Sequence, residues 1–265
     1  MVNSIGYTSS LATSQSRLQT ALQVLSSGSS INSAADNAAG MAQSTSYSVQ
    51  LSGLAQSMNN TQNGISMLGT ASGAVDQINQ GLQDIRTLTV QAGNASLNAG
   101  DLQAIQSQIG QITQGINQIA STTQFNGQSL LDGSANLTLQ TGANAGQTQN
   151  VQLGNLSSSA LGISGVDVTT AAGQATAISA LDNAIQQVNS QSANIGAAQS
   201  SLSSALSNQS TSYNSLAATK SRVSDTDYAQ ASSNLAQANV QQQASLQAVA
   251  LYNSTQNNIL TLLPK

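Results

Sequence analysis

The chain has 265 residues, of which 39% are hydrophobic, 2% aromatic and only 5% charged, and its net charge is −4. So few basic residues argue against binding to nucleic acid or to an anionic membrane surface, because both need clustered Lys and Arg. The absence of Cys, His and Glu excludes disulfides and removes most nucleophiles and general bases. We therefore expect a protein that is not an enzyme and that holds no metal or cofactor.

An amphipathic segment over residues 4–30 is the first predicted helix. Its leucines follow a seven-residue step with one further residue between, the spacing of an apolar helix seam: Leu11, Leu18, Leu22 and Leu25. Polar residues at the remaining seam positions predict a helix that is weak by itself. A Gly and Ser cluster then ends it, and Ser33 and Asp36 fit a capping box before the next helix.

The longest apolar pattern predicts a second helix from about Met41 to Gln91. Two seven-residue series interleave along it: Leu51, Met58 and Ile65, and Leu54, Thr61, Leu68, Val75 and Leu82. At 1.5 Å per residue such a helix would be roughly 75 Å long. A helix of that length needs partner helices beside it.

A third helix is predicted after a Gly-rich loop, with Asp101 favouring its start. It carries the cleanest seam of the chain: Leu102, Ile105, Ile109, Ile112, Ile116 and Ile119. Because the connecting loop is short, we expect the second and third helices to pack antiparallel.

The period of the pattern changes from seven to two at Gln124. Asn126-Gly127 is a hairpin turn signal, and apolar residues alternate over 137–139 and 151–153. Residues 124 to about 170 are therefore predicted to form small β-hairpins that rest on the helices.

Helical spacing returns at Ile178, where Ser179 and Asp182 suggest a cap. One seven-residue series is broken only by Gln209: Leu181, Val188, Ile195, Leu202, Gln209, Leu216 and Val223. The last segment carries sparser apolar residues: Leu235, Leu246, Val249, Leu260 and Leu263. Asp225 and Asp227 precede this segment, and two acids without a His or Glu are interpreted as helix caps rather than metal ligands.

Several short sequences resemble motifs of bacterial flagellins. They are Ser26–Gly28, Ile31–Ala34, Asp36, Ala38–Gly40, Asn63–Ser66, Thr123–Gly127, Gly142–Gly146, Ser221–Arg222, Asp225, Asp227–Ala229, Gln242–Ala244 and Ile259–Leu263. They occur in the family's order over nearly the whole chain. About 45 residues separate the helical halves, so the chain is similar to a short flagellin that lacks large outer domains.

The resemblance implies a mainly α fold, in which long antiparallel coiled-coil helices fold back as a hairpin-shaped rod with a small β-hairpin region at mid-chain. Residues 1–40 and 224–265 would form the two halves of an inner-core helical domain. The rod domain would comprise long helices over 41–123, hairpins over 124–175 and a long helix over 176–223. The leucines and valine of the terminal segments would mediate self-assembly, and the terminal helices are predicted to order only in the polymer.

The implied function is a subunit of the extracellular flagellar filament, used for motility. The implied partners are other copies of the chain, hook-associated junction proteins, a filament cap and an export chaperone. Export would use the flagellar type III apparatus without a cleaved signal peptide. A hook–filament junction protein and a secreted coiled-coil adhesin are the alternatives.

One segment resembles the stretch by which flagellins bind an innate immune receptor. Leu82, Gln83 and Arg86 match that stretch. Asp84 replaces an expected arginine and Thr87 an expected acid. These two departures argue against recognition by the receptor.

Overall fold

The computed structural model describes the backbone of residues 2–262 and the side chains of residues 6, 8–256 and 258. Its helices and strands are α1 (Val2–Ser27), α2 (Ala38–Ala92), α3 (Ala99–Thr122), β1 (Gln124–Phe125), β2 (Gln128–Ser129), β3 (Asn136–Gln140), β4 (Thr148–Gln152), α4 (Ala171–Ser224) and α5 (Tyr228–Leu262). The mainly α fold class is confirmed. None of the helices in this described part is both long enough and apolar enough to cross a membrane.

The chain divides into two compact units. The first unit contains the residues up to Leu51 and those from Asn214 onward, and the second unit runs from Ser52 to Tyr213. Helices α2 and α4 contribute residues to both. The buried aliphatic cluster of the described residues lies in the second unit, between Met67 and Leu202. The second unit therefore has a hydrophobic core of its own.

Helices α2 and α4 run antiparallel within the second unit. Asn79 Nδ2 donates a hydrogen bond to Asn189 Oδ1 at 2.9 Å, and Arg86 Nε donates to Asp182 Oδ1 at 2.7 Å. From Asn79 to Arg86 along α2, the contacted residue on α4 moves back from Asn189 to Asp182, so the two helices run in opposite directions. The carboxylate of Asp182 raises the pKa of Arg86, first through this hydrogen bond and then through its charge.

Helix α3 packs against α2 where α2 carries a glycine. A Cβ built on Gly81 would lie 3.3 Å from the side chains of both Ile112 and Ile116. Glycine therefore lets the two helices approach more closely than alanine would. The start of α3 is fixed by Asn98 and Asp101, whose side chains each accept a backbone N–H of the other residue, as in a capping box.

The rod seam predicted from the sequence has two levels of burial. Its fully buried members are Leu68, Val75, Leu82, Ile105, Ile109, Ile116, Leu181, Val188, Ile195 and Leu202. Its half-buried members are Leu51, Leu54, Met58, Ile65, Leu102, Ile112 and Ile119. On α2, burial of the seam is thus complete from Leu68 to Leu82 and incomplete from Leu51 to Ile65.

Two β-hairpins follow α3. Strands β1 and β2 pair antiparallel across Asn126 and Gly127, whose φ angles of 49° and 79° are those of a tight Asn-Gly hairpin turn. Strands β3 and β4 form a second antiparallel pair. The hairpins predicted for this part of the chain are present.

The prediction of β structure as far as residue 170 is wrong. Residues 153–170, all of which the structure describes, contain no strand and only one isolated bridge residue, Asn155. Their aliphatic side chains are nevertheless buried: Leu153, Leu156, Leu161, Ile163 and Val168. A turn of helix closed by the Leu161 N–H on the Ser157 carbonyl, and then Gly162 at φ 72°, interrupt the extended backbone.

Side-chain amides of α3 hold this irregular segment. Gln106 donates to the Val166 carbonyl and accepts the Val168 N–H, both at 2.8 Å. The Asn117 side chain accepts the Ser158 N–H at 2.8 Å. These bonds satisfy backbone groups that no sheet pairs, which a buried segment requires.

Helix α4 contributes two further amides. Gln174 donates to the Ala92 carbonyl at 3.0 Å and to the Val168 carbonyl at 2.9 Å. Gln191 accepts the Gly154 N–H at 3.2 Å. The second unit is therefore held by uncharged hydrogen bonds as well as by its aliphatic core.

The start of α4 differs from the predicted one. The helix begins at Ala171, ahead of Ile178, and the Thr170 hydroxyl accepts the Gly173 N–H at 3.1 Å. Ser179 lies inside the helix, where its hydroxyl donates to the Ala175 carbonyl. The cap was missed because residues 171–177 carry only Ala, Gly, Gln and Thr, so no apolar period marks them.

Two aspartates close tight turns beside the irregular segment. Asp132 accepts the hydroxyl and N–H of Ser134, and Asp167 accepts those of Thr169, all within 2.9 Å. In both cases the hydroxyl bond and then the backbone bond hold the pKa of the carboxyl below its ordinary value. Both turns therefore depend on ionised carboxylates.

Gly133→Ala is expected to destabilise the second unit more than Gly127→Ala. Both glycines have left-handed backbones, at φ 86° and 79°, where a Cβ costs about 1–2 kcal/mol. A Cβ on Gly133 would in addition lie 2.8 Å from Cβ of Asn155, whereas the space around Gly127 is open. Thermal unfolding followed by circular dichroism measures the difference. Equal losses in the two variants would contradict the crowding at Asn155.

Thermal stability is expected to stay level from about pH 7 to about pH 5 and to fall below about pH 4. The pKa values of Asp132 and Asp167 are depressed on folding, so their contribution is present above the unfolded pKa and is lost as the pH falls through the folded one. Asp132→Asn with Asp167→Asn should flatten the acid limb, because an amide oxygen accepts the same bonds without titrating. An acid limb that is as steep in this variant would refute the assignment.

Candidate functional site: the paired terminal helices

The first unit is built on the packing of α1 against α5. Arg17 Nη1 of α1 donates to Gln241 Oε1 of α5 at 3.3 Å, and an antiparallel bridge joins Ser29 to Asp225. From Arg17 to Ser29 along the chain, the contacted residue moves back from Gln241 to Asp225, so the two helices run antiparallel. The predicted pairing of the chain's two terminal segments is observed within this unit.

A short backbone crossing ties the end of α1 to the end of α4. Ser30 donates its N–H to the Ser224 carbonyl at 2.7 Å, and Thr226 donates to the Gly28 carbonyl at 3.0 Å. Gly28 has φ 69° and donates to the Val24 carbonyl at 3.0 Å. A left-handed glycine with such a bond is a common helix C-cap, so the Ser-Ser-Gly motif marks the exact residue at which α1 stops.

Asp36 closes the turn that follows this crossing. Its carboxylate accepts the N–H groups of Asn32 and Ser33 and the Ser33 hydroxyl, at 3.0, 2.8 and 3.1 Å. The bond from Asn32 and then those from Ser33 lower the pKa of Asp36. The predicted capping box of Ser33 and Asp36 is therefore wrong. Asn37 caps α2 instead, because its side chain accepts the Gly40 N–H at 2.9 Å.

Asp227 is a helix cap, as the sequence predicted, whereas the carboxylate of Asp225 accepts serine hydroxyls and caps no helix. Asp227 accepts the N–H groups of Ala229 and Gln230 at the start of α5, at 2.9 and 3.2 Å. Asp225 accepts the Ser221 hydroxyl at 2.6 Å. Over the described residues, no three His, Cys, Asp or Glu side chains are grouped as a metal site would need.

The predicted self-assembly residues are only partly covered in the single chain. Leu11, Leu18, Leu25, Leu235 and Val249 are half-buried. Leu22 is 49% exposed and Leu246 is 48% exposed. The side chains of Leu260 and Leu263 lie outside the described residues.

Two more apolar side chains of α5 are exposed and were not predicted. Val240 is 66% exposed and Leu251 is 70% exposed. They are eleven residues apart, which is three helical turns, so they share one face. They do not continue a seven-residue series, which is why the heptad pattern did not reveal them.

The contact between α1 and α5 buries little apolar surface. Among the described side chains of these two helices, the fully buried ones are Ser14, Ala231 and Ala238. A groove of about 380 Å³ remains between the helices, lined in part by Arg17 and Gln241. Small and polar residues at the centre of a helix pair give it little hydrophobic stabilisation.

The segment that resembles a receptor-binding stretch is divided between core and surface. Leu82 is fully buried, whereas Gln83 and Arg86 are exposed. Arg86 is bound to Asp182. Of the matching residues, only Gln83 and Arg86 are therefore accessible in the folded second unit.

Known proteins match both helical parts of the chain. A sequence profile of the bacterial flagellin N-terminal helical region matches residues 2–136, and a profile of the bacterial flagellin C-terminal helical region matches residues 178–263. The crystal structure of Bacillus cereus flagellin is similar with a TM-score of 0.53 and 30% identity, over 57% of this chain and 88% of that one.

Two flagellin sequences show how the chain compares in length. The flagellin of Serratia marcescens is 44% identical over 164 residues, which cover 62% of this chain and 47% of that protein. The flagellin of Bacillus subtilis (strain 168) is 36% identical over 288 residues, which cover 96% of this chain and 95% of that protein. The match thus extends over both proteins nearly end to end, and the chain belongs to the bacterial flagellin family.

Proposed function

We propose that the chain is a structural subunit that polymerises with copies of itself into the extracellular flagellar filament, which serves motility. The observation that carries the proposal is the contrast between the two units. The second unit has a buried aliphatic core, whereas the centre of the α1–α5 pair is Ser14, Ala231 and Ala238. A helix pair this thinly packed, with exposed leucines and valines, needs further surfaces to cover it.

Polymerisation supplies those surfaces. Apolar surface removed from water contributes about 25 cal/mol per Å², and Leu22, Val240, Leu246 and Leu251 are each about half or more exposed. Neighbouring subunits would cover these side chains and fill the groove between α1 and α5. In this proposal the terminal helices gain most of their stability on assembly, since helices gain most of theirs from tertiary packing.

The finer partners follow from the family resemblance. Hook-associated junction proteins and a filament cap would contact the two ends of the polymer, and a chaperone would hold the subunit before export. We propose export through the flagellar type III apparatus, as the resemblance to the family implies.

We also infer that the protein has no catalytic activity. Its sequence contains no His, Cys or Glu, and Asp225 and Asp227 are used in hydrogen bonds at helix ends. A structural role requires none of the missing groups.

Removing residues 1–35 or residues 230–265 is expected to abolish polymerisation and to leave a soluble helical protein. Either deletion removes one helix of the α1–α5 pair, while the core between Met67 and Leu202 stays intact. Electron microscopy and sedimentation of purified protein measure filament growth, and circular dichroism checks the helix content. Normal filaments from either deletion variant would refute the proposal.

A point variant makes the same test without a deletion. Val240→Ser with Leu251→Ser removes two exposed apolar side chains from one face of α5 and should slow filament growth at unchanged helix content. Asn239→Ser with Asn253→Ser is the matched control, because both residues are exposed on the same helix and away from that face. The control variant should polymerise like the parent chain.

We infer that the innate receptor recognises this flagellin weakly, because Asp84 and Thr87 depart from the family's pattern. Asp84→Arg with Thr87→Glu is expected to raise receptor activation about tenfold or more, by restoring charge complementarity at the edge of the contact. Reporter cells that carry the receptor, treated with monomer, give the measurement. Asp76→Arg with Gln80→Glu changes charge elsewhere on α2 and is the control. No gain, or an equal gain in both, would refute the inference.

A further inference from the structure

Each of the two long seams contains one polar residue in place of an aliphatic one. Thr61 interrupts the series from Leu54 to Leu82 on α2, and Gln209 interrupts the series from Leu181 to Val223 on α4. A polar residue in an apolar seam costs stability unless it is paired. The position of each interruption therefore needs a reason.

The two interrupting residues contact each other. Gln209 Nε2 donates to the Thr61 hydroxyl at 3.1 Å and also to the carbonyl of Thr141, just after β3. The Thr61 hydroxyl in turn donates to the Ser57 carbonyl at 2.8 Å. Thr61 is fully buried and Gln209 is 6% exposed. One amide thus joins α2, α4 and the β3–β4 connection.

This contact lies where aliphatic packing is thin. Between Leu51 and Ile65, the apolar side chains of α2 are at most half-buried, whereas Ser57 and Thr61 are fully buried. Opposite them on α4, Gln209 is buried and its neighbour Leu206 is half-buried. The centre of the α2–α4 contact is therefore polar here, although it is aliphatic nearer the α2–α3 loop.

Aliphatic contacts alone leave the relative position of two helices weakly defined, because they are not directional. If α4 shifted by one heptad, about 10 Å along α2, Gln209 would face Leu54 or Leu68. Its amide would then be buried without a hydrogen-bond partner, and the aliphatic contacts of the shifted arrangement would not compensate for that cost. The side-chain amide oxygen of Gln209 accepts no hydrogen bond from the described protein atoms. Burying that oxygen without a partner lowers the stability of the fold, so stability alone does not explain a glutamine at this position.

We propose that Gln209 and Thr61 form a positioning pair that fixes the register of α2 against α4 and anchors the β3–β4 connection to both helices. Polar seam residues that specify register in coiled coils work by the same physics. The pair does this without charge: residues 52–75, 133–166 and 183–212 contain no titratable side chain. The proposal concerns the folded subunit and stands independently of filament assembly.

A double-mutant cycle tests whether the two residues act together. Thr61→Val and Gln209→Leu are each expected to lower the unfolding temperature by about 3 °C or more, because each leaves the remaining partner short of a hydrogen bond. The double variant restores two apolar seams but still lacks the bond to the Thr141 carbonyl, so its loss should be clearly smaller than the sum of the two single losses. Losses that simply add in the double variant would overturn the pairing.

A distance measurement tests the positioning role. The chain has no cysteine, so spin labels can be introduced in pairs at exposed positions. Gln56→Cys on α2 with Asn208→Cys on α4 reports the register, and Ala145→Cys with Asn208→Cys reports the β3–β4 connection. For each pair, the parent chain should give one narrow distance and the double variant a broadened one. Val188→Ala is the control, since it weakens the core away from the pair and should leave the distance narrow. An unbroadened distance in the double variant would overturn the proposal.

Discussion

The buried aliphatic seam of α2 is the contact on which the second unit depends. The side chains from Leu68 to Ile85 are covered from two directions, by α3 through Ile112 and Ile116 and by the antiparallel α4. With 2% aromatic residues, the chain has few large side chains that could fill a gap between distant elements. Only helices in direct contact along their length can bury enough surface, and the glycine at position 81 permits that approach.

Side-chain amides complete what this thin core leaves open. Gln106, Gln174 and Gln191 hold backbone groups of residues that no sheet pairs. A carboxylate or an ammonium in those places would bring a desolvation cost that an amide avoids. The same choice explains how a chain with 5% charged residues can still fix loops in place: an amide both donates and accepts, so one glutamine bridges two backbone groups.

Much of the helical fold could be predicted from the sequence, because a seven-residue repeat reports directly which side chains face a neighbouring helix. Thus every seam residue from Leu181 to Leu202 that was predicted on α4 is buried. The bonds of Gln106 and Gln174 could not be predicted, since these residues look like any of the chain's many glutamines until their partners are known. Gln209 stands out in the sequence because it interrupts a seven-residue series, but its partners do not. The start of α4 and the irregular segment after β4 were also missed, because neither has a period. On α5, a search for seven-residue spacing missed Val240 and Leu251, because they lie eleven residues apart on one face of the helix.

The two units divide two demands that conflict in a polymer subunit. A subunit must keep its shape, which requires a closed core, and it must bind its neighbours, which requires apolar surface that is still uncovered. Here the closed core lies between Met67 and Leu202, and α1 and α5 carry the exposed side chains of Leu22, Val240, Leu246 and Leu251. Because α1 and α5 meet through Ser14, Ala231 and Ala238, their mutual contact satisfies little of their apolar surface. Contacts between subunits can bury the apolar surface that the α1–α5 pair leaves exposed, and this burial stabilises the polymer. Weak packing between α1 and α5 within one chain therefore favours polymerisation.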